Sequence, residues 1–189
     1  MNHSQIEFLK LCLQKEVIKS DTKGFSWRRT IQRAWKYPER RFYFWWRIAS
    51  FLYKSNKSIF MANYINRRLR AKYGCDIDVG AEIGVGLSIS HYVGLVIAYD
   101  TIIGENFHVR QNTTIGILYS GQKGKIHIGN NVTIGANSCI IGDNIKIGNN
   151  VMVGAMSFIN NNIPDNMVVY TPKISNTLRL SEKDNRKIW

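Results

Sequence analysis

Between Asp76 and Asn162 an Ile or Val returns every six residues, and Gly usually follows it. The clearest phrases are Ile83-Gly84, Ile103-Gly104, Ile115-Gly116, Ile128-Gly129, Ile134-Gly135, Ile141-Gly142, Ile147-Gly148 and Val153-Gly154. Such a period is too long for a helical turn and too regular for a meander of hairpins. It predicts the coils of a parallel β-helix, in which each repeat forms one flat face. One aliphatic per face stacks on its counterpart in the next coil, and the Gly is expected to permit the tight corner. The register breaks twice. The first break is Ser90-His91-Tyr92-Val93-Gly94, after which the series resumes at Ile97, Ile103, Val109 and Ile115. The second is Ile117 to Lys125, a Gly- and Lys-rich excursion. A loop thrown out of a β-helix corner is where such scaffolds usually hold substrate. Asn160 to Asn166 ends the repeats, and Met167 to Val169 is expected to add a last strand.

The preceding region is of another kind. Residues 1–74 hold 17 Lys/Arg against 4 Asp/Glu, so the whole formal charge of +13 sits there and the remainder is balanced. Such asymmetry suggests a segment that faces something anionic, whether lipid, nucleic acid or charged polymer. Apolar spacing predicts helices over Gln5–Lys19, Trp27–Lys36 with Ser26 as N-cap, Glu39 to about Ser55, and about Ser58–Tyr73. The third is the most distinctive, RRFYFWWRIASFLYK. On a helical wheel Phe42, Trp45, Trp46, Ala49, Leu52 and Tyr53 share a face, with Arg40, Arg47 and Lys54 elsewhere. This block fits two roles. It is either a cap whose aromatic stripe packs on the β-helix or another subunit, its arginines solvated, or an interfacial helix lying on anionic lipid. Nucleic-acid binding ranks a distant third, because no helix-turn-helix, finger or stacking-sheet motif accompanies the charge, and no nucleic-acid partner is expected. The chain thus divides into a basic, aromatic helical region (1–74), a β-helix domain (75–172) and a polar tail (173–189).

Cys12, Cys75 and Cys139 are an odd, scattered set without metal-ligand spacing, as in an intracellular protein with reduced thiols. The N-terminus lacks the apolar run of a signal peptide, and no stretch approaches the roughly 20 apolar residues of a membrane span. A cytoplasmic location is expected, with peripheral contact at the inner face of the membrane if the interfacial role holds.

Polar residues able to do chemistry are few within the repeats. His91 stands out at the first interruption. A neutral imidazole can take a proton from an alcohol and return it, and works best when a carboxylate holds its other nitrogen. Asp76 lies 15 residues earlier, which in a triangular coil of about 18 residues could bring it alongside. Taken alone, a His at a turn is also often structural.

The segments CDIDVGAEIGVGLSISHYVGLVI, QNTTIG and IGNNVTIGANSCIIGDNIKIGNNVMVGAMSFINNNIPDN resemble the hexapeptide-repeat acyltransferases, and specifically their serine acetyltransferase branch. The resemblance covers a little over half the chain. It implies a left-handed parallel β-helix, mainly β with a small helical N-terminal region, acetyl-CoA as co-substrate and no metal. It also implies a homotrimer or dimer of trimers with sites between subunits. By position, His91 matches the family's general base and Asp76 the carboxylate that orients it. Gly116, Ala136 and Ala155 fall where family members line the pantetheine groove with small residues; each on its own is equally a corner that needs one.

The departures concern the acceptor. Where serine acetyltransferases have an Asp immediately before the catalytic His, this chain has Ser90. Their loop supplies an Arg-His pair for the serine carboxylate, whereas Tyr119 to Lys125 contains neither Arg nor His. Ser90 and Lys123 are then the candidate acceptor-binding residues. These changes, with the basic aromatic N-terminus, resemble the acetyltransferases of bacterial surface-polysaccharide clusters. The expected function is acetyl-CoA-dependent O-acetylation of a glycan hydroxyl or its precursor. Serine O-acetylation for cysteine biosynthesis and a non-catalytic β-helix scaffold are the alternatives.

Overall fold

The computed structural model describes residues 3–20, 22, 24–117 and 124–172. The repeats wind as a left-handed coil of three parallel sheets. The first sheet stacks β1 (Asp76–Ile77), β4 (Val96–Ile97), β7 (Thr114–Gly116), β10 (Cys139–Ile141) and β13 (Phe158–Ile159). The second stacks β2 (Glu82–Ile83), β5 (Thr101–Ile103), β8 (Ile126–Ile128) and β11 (Lys146–Ile147). The third stacks β3 (Ser88–Ser90), β6 (His108–Arg110), β9 (Thr133–Ile134), β12 (Met152–Val153) and β14 (Val168–Val169). Consecutive strands therefore visit the sheets in rotation. One aliphatic of each strand points inward: Ile77, Ile83, Ile89, Ile97, Ile103, Val109, Ile115, Ile128 and Ile134 are all buried. Each such side chain contributes about 1.5–3 kcal/mol of burial.

The pairing register locates both interruptions. Val96 pairs with Thr114, an undisturbed coil of 18 residues. Asp76 pairs with Val96, a step of 20, and the two extra residues fall between β3 and β4, at His91. Thr114 pairs with Cys139, a step of 25, and the surplus falls between β7 and β8.

The repeat glycines do something other than turn. Gly84, Gly104, Gly129, Gly135 and Gly148 have no left-handed φ; a Cβ there would come within 2.9 Å of backbone in the next coil. They are small because successive coils touch. The left-handed corners are carried instead by Asn106, Asn112, Asn131, Asn137, Asn144, Asn150 and Asn166, with φ between 53° and 61°. Asn tolerates this region, and its amide adds a ladder. Asn106 donates to Asn131, Asn131 to Asn150 and Asn150 to Asn166, each at 2.9–3.0 Å.

Ahead of the coils lie α1 (His3–Leu13), a π-helical turn (Gln14–Ile18), α2 (Trp27–Lys36), α3 (Pro38–Lys54) and α4 (Ile59–Tyr73). Lys19, left-handed at φ 52°, closes the π turn, and Gly74 at φ 61° closes α4. Ser26 precedes α2 without a side-chain cap bond, whereas Ser58 caps α4 through Met61 N–H.

The helix α3 closes the open end of the β-helix, where first-coil backbone groups have no preceding coil to bond. Trp46 Nε1 donates to Ile77 O, Ser50 Oγ to Val79 O, Lys54 Nζ to Ala81 O, and Arg47 to Ile83 O and Gly84 O. The buried face of α3 is Phe42, Tyr43, Trp46, Arg47, Ala49 and Ser50, rotated from the aromatic stripe drawn on the wheel. That corrects two expectations. Trp45 lies outside, 43% exposed, and Arg47 is buried rather than solvated. With its central aromatics committed to the cap, α3 is not free to lie on lipid. Among the described residues no helix is long and apolar enough to cross a membrane.

Candidate functional site

The corner between the third and first sheets forms a column down the molecule. Its four levels are the turns at His91–Gly94, Gln111–Asn112, Ala136–Asn137 and Ala155–Met156. They are tied by Asn112 N–H to Val93 O, Asn137 N–H to Gln111 O and Met156 N–H to Ala136 O, at 3.0, 3.1 and 2.8 Å. His91, Ala136 and Ala155 therefore share one edge. Gly116 sits at the end of β7, opening the neighbouring corner, and among the described residues a Cβ there would meet only Ala98 Cβ, at 3.5 Å. Lys123 lies outside the described residues.

His91 is exposed, with φ 63°. A β-carbon costs energy there, so neighbours must hold the turn. They do so from the helical cap. On one side Ile89 N–H donates to Tyr43 Oη at 2.8 Å; on the other Tyr92 Oη donates to Glu39 O at 2.6 Å. The Tyr92 ring packs on Phe42 and Tyr73 with centroids 4.7 and 5.2 Å apart. Burial raises the Tyr92 phenol above its ordinary range, so it stays a neutral donor. Gly94 N–H closes the turn onto Gly74 O at 2.8 Å. The imidazole thus stands on a fixed turn with its ring in solvent.

Asp76 begins β1 at the first-sheet side of this corner, its N–H bonded to Leu95 O. Its Oδ1 takes Arg70 Nη2 at 2.8 Å, and both side chains are more than a third exposed. No hydrogen bond or ion pair joins Asp76 to His91 among the described residues.

Ser90 is more heavily engaged. Its Oγ lies 2.9 Å from His108 Nε2, and its Cα partner in the next strand is Arg110. Burial, then the Arg110 charge, lower the His108 pKa below its ordinary value, which favours neutral imidazole. Neither His108 nor Arg110 stood out in the sequence, because both occupy regular outward positions of a repeat. The available signal was a basic residue where β6 faces the His91 turn. Among the described residues no group of three or more His, Cys, Asp or Glu is placed to hold a metal.

No family model matches the chain. It is 41% identical over 81 residues to a serine acetyltransferase of Bacillus licheniformis, covering 43% of this chain and 37% of that protein. It is 36% identical over 70 residues to the chloroplastic serine acetyltransferase 1 of Arabidopsis thaliana, covering 37% of this chain and 22% of that one. Among solved structures, serine acetyltransferase isoform 3 of Entamoeba histolytica, in complex with cysteine, superposes with a TM-score of 0.72 and 27% identity. That match covers 94% of this chain and 62% of the other. The chain therefore spans well under half the length of these curated relatives.

These relatives overturn the glycan expectation. It rested on what one loop and the Ser90 position lack, and an absent Arg-His pair in one segment does not exclude a carboxylate partner elsewhere on the corner. The matched proteins are named for serine, so a polysaccharide acceptor has no support.

Proposed function

We propose that this chain, a member of the hexapeptide-repeat acyltransferases, transfers the acetyl group of acetyl-CoA to the hydroxyl of L-serine. The observation that carries the acceptor is the 36–41% identity to serine acetyltransferases over the repeats. His91, as general base, takes the hydroxyl proton. The oxygen attacks the thioester carbonyl, and the tetrahedral intermediate collapses with loss of CoA thiolate, which receives the proton from His91. Asp76 orients the imidazole once it turns from Arg70, a half-exposed ion pair of the kind worth little in solution. Gly116, Ala136 and Ala155 leave room for the thin pantetheine arm. The test is release of free thiol from acetyl-CoA with and without L-serine. Serine-dependent turnover that falls roughly 100-fold or more in His91→Ala is expected. An unchanged His91→Ala rate would leave the fold as a scaffold.

The domains divide at 74 and 172, and the active assembly is a homotrimer. Supporting self-association, the outer faces beside the His91 corner carry exposed Val93, Val96, Met152, Met156, Phe158 and Val168. Exposed apolar side chains on two adjoining faces favour an interface. Light scattering on the eluting protein decides it, and a monomer at micromolar concentration would rule it out.

Peripheral contact with an anionic lipid surface belongs to α2 rather than α3. Trp27, Ile31 and Trp35 recur four residues apart, and all three are exposed. Arg28, Arg29, Arg33 and Lys36 accompany them. A second copy would bring like charge, whereas an anionic surface complements it. Sedimentation with phosphatidylserine vesicles should be lost in Trp27→Ala/Trp35→Ala; no binding at low salt ends the idea.

A further inference from the structure

We propose that Arg110 binds the carboxylate of the acceptor beside His91, in a subsite walled by Ser90 and His108. The claim deepens the serine reading and rests on it for the acyl-transfer chemistry.

Three observations carry it. First, the β3–β6 register sets Ser90 against Arg110, so the guanidinium starts one strand spacing, about 4.8 Å, from the residue that precedes His91. Second, Val109 is fully buried, so the strand's alternation turns His108 and Arg110 to the outer face that Ser90 also occupies. The Ser90–His108 hydrogen bond at 2.9 Å confirms that shared face. Third, Arg110 is exposed, and among the described residues its side chain makes no hydrogen bond or ion pair.

An arginine fork matches a carboxylate through two parallel N–H···O bonds, and no other side chain offers that geometry. His108 cannot take the role, because burial and Arg110 favour its neutral form. Its task is to hold the Ser90 hydroxyl. Ser90 in turn presents a small neutral hydroxyl on the face it shares with Arg110. The site thus trades a loop-borne clamp for one built on a strand, at the level of the column between His91 and Ala136.

The test compares L-serine with serinamide, which keeps the hydroxyl and amine but lacks the carboxylate. Thiol release is followed in the unaltered protein, in Arg110→Ala and in Arg110→Lys. In the native chain kcat/KM should favour serine by about 10- to 100-fold, the worth of a charge-assisted hydrogen bond or two. Arg110→Ala should bring the ratio near one by raising the KM for serine, with serinamide unchanged, and Arg110→Lys should restore part of it. An arginine serving only structure or subunit contact would shift the melting midpoint or oligomeric state and leave the ratio alone. A folded Arg110→Ala that keeps the preference overturns the clamp while leaving the serine reading intact. If the native chain acetylates neither compound, the serine reading fails by itself. The clamp is then decided by glycerate against glyceramide: a preference for glycerate that Arg110→Ala abolishes sustains it, and no preference overturns it.

Discussion

Arg47 and Glu16 meet inside the helical cap in a two-pronged ion pair, 2.8 Å from Nε to Oε2 and 2.6 Å from Nη2 to Oε1. Neither is more than 4% exposed. Each then reaches past the other to the first coil. Arg47 donates to Ile83 O and Gly84 O, while Glu16 Oε1 accepts from Gly86 N–H and Leu87 N–H. The π turn, α3 and the β2–β3 connection are thus fastened at one point.

Removing one partner leaves the other as an uncompensated buried charge. Arg47→Ala and Glu16→Ala are each expected to lose about 3–5 kcal/mol, read as a lower midpoint in urea. Replacing both, Glu16→Leu with Arg47→Met, should cost clearly less than the two single losses combined. Full additivity would show that the two groups act independently.

The half-buried His108 should make stability pH-dependent. Its folded-state pKa lies below the ordinary value, chiefly from burial, so the unfolded chain takes up the proton first as pH falls. By linkage, its contribution is fully present above the unfolded pKa of about 6.5. It is lost progressively as pH drops from there through the folded pKa. His108→Asn should therefore flatten the fall in melting temperature between pH 7 and pH 5. An identical slope in both proteins would sink this.

What was legible in the sequence was whatever repeats. Ile-Gly every six residues specified the coils, because one inward aliphatic per face is the only way a coil this short can bury a core. The breaks in that period located the His91 turn and the excursion, since an inserted residue has to leave the register somewhere. The role of the glycines was not legible: Gly84 and a turn glycine look alike in sequence, and only the 2.6 Å approach of the next coil distinguishes them. Arg47 was misread because a helical wheel assigns faces by polarity, whereas here the first coil's orphan carbonyls want donors. His108 and Arg110 were missed for the opposite reason, being polar residues at positions where any polar residue fits.

The thiols should separate by burial. Cys12 and Cys75 are buried and their pKa values are both pushed up to about 12, chiefly by burial. Reactivity requires thiolate and access. Under native conditions a disulfide reagent at pH 8 should therefore reach Cys139, which is only partly buried, and label the other two only on addition of denaturant. Three equivalents taken up rapidly by the native protein would contradict this arrangement.

Gly84 and Gly116 make a matched pair. A methyl at Gly84 would sit 2.6 Å from Gly104 backbone carbon and oxygen, so coils one and two must part to admit it. Such overpacking typically costs about 1–3 kcal/mol. At Gly116 the same methyl meets, among the described residues, only Ala98 Cβ at 3.5 Å, an ordinary contact, and stability should move by no more than about 0.5 kcal/mol. If Gly116 lines the pantetheine groove, that added methyl falls in the path of the cofactor arm instead. Gly84→Ala should therefore lower the unfolding midpoint and leave the KM for acetyl-CoA nearly unchanged in whatever protein remains folded. Gly116→Ala should do the reverse, melting with the parent while its KM for acetyl-CoA rises several-fold. A Gly116→Ala protein with native KM would remove that residue from the groove.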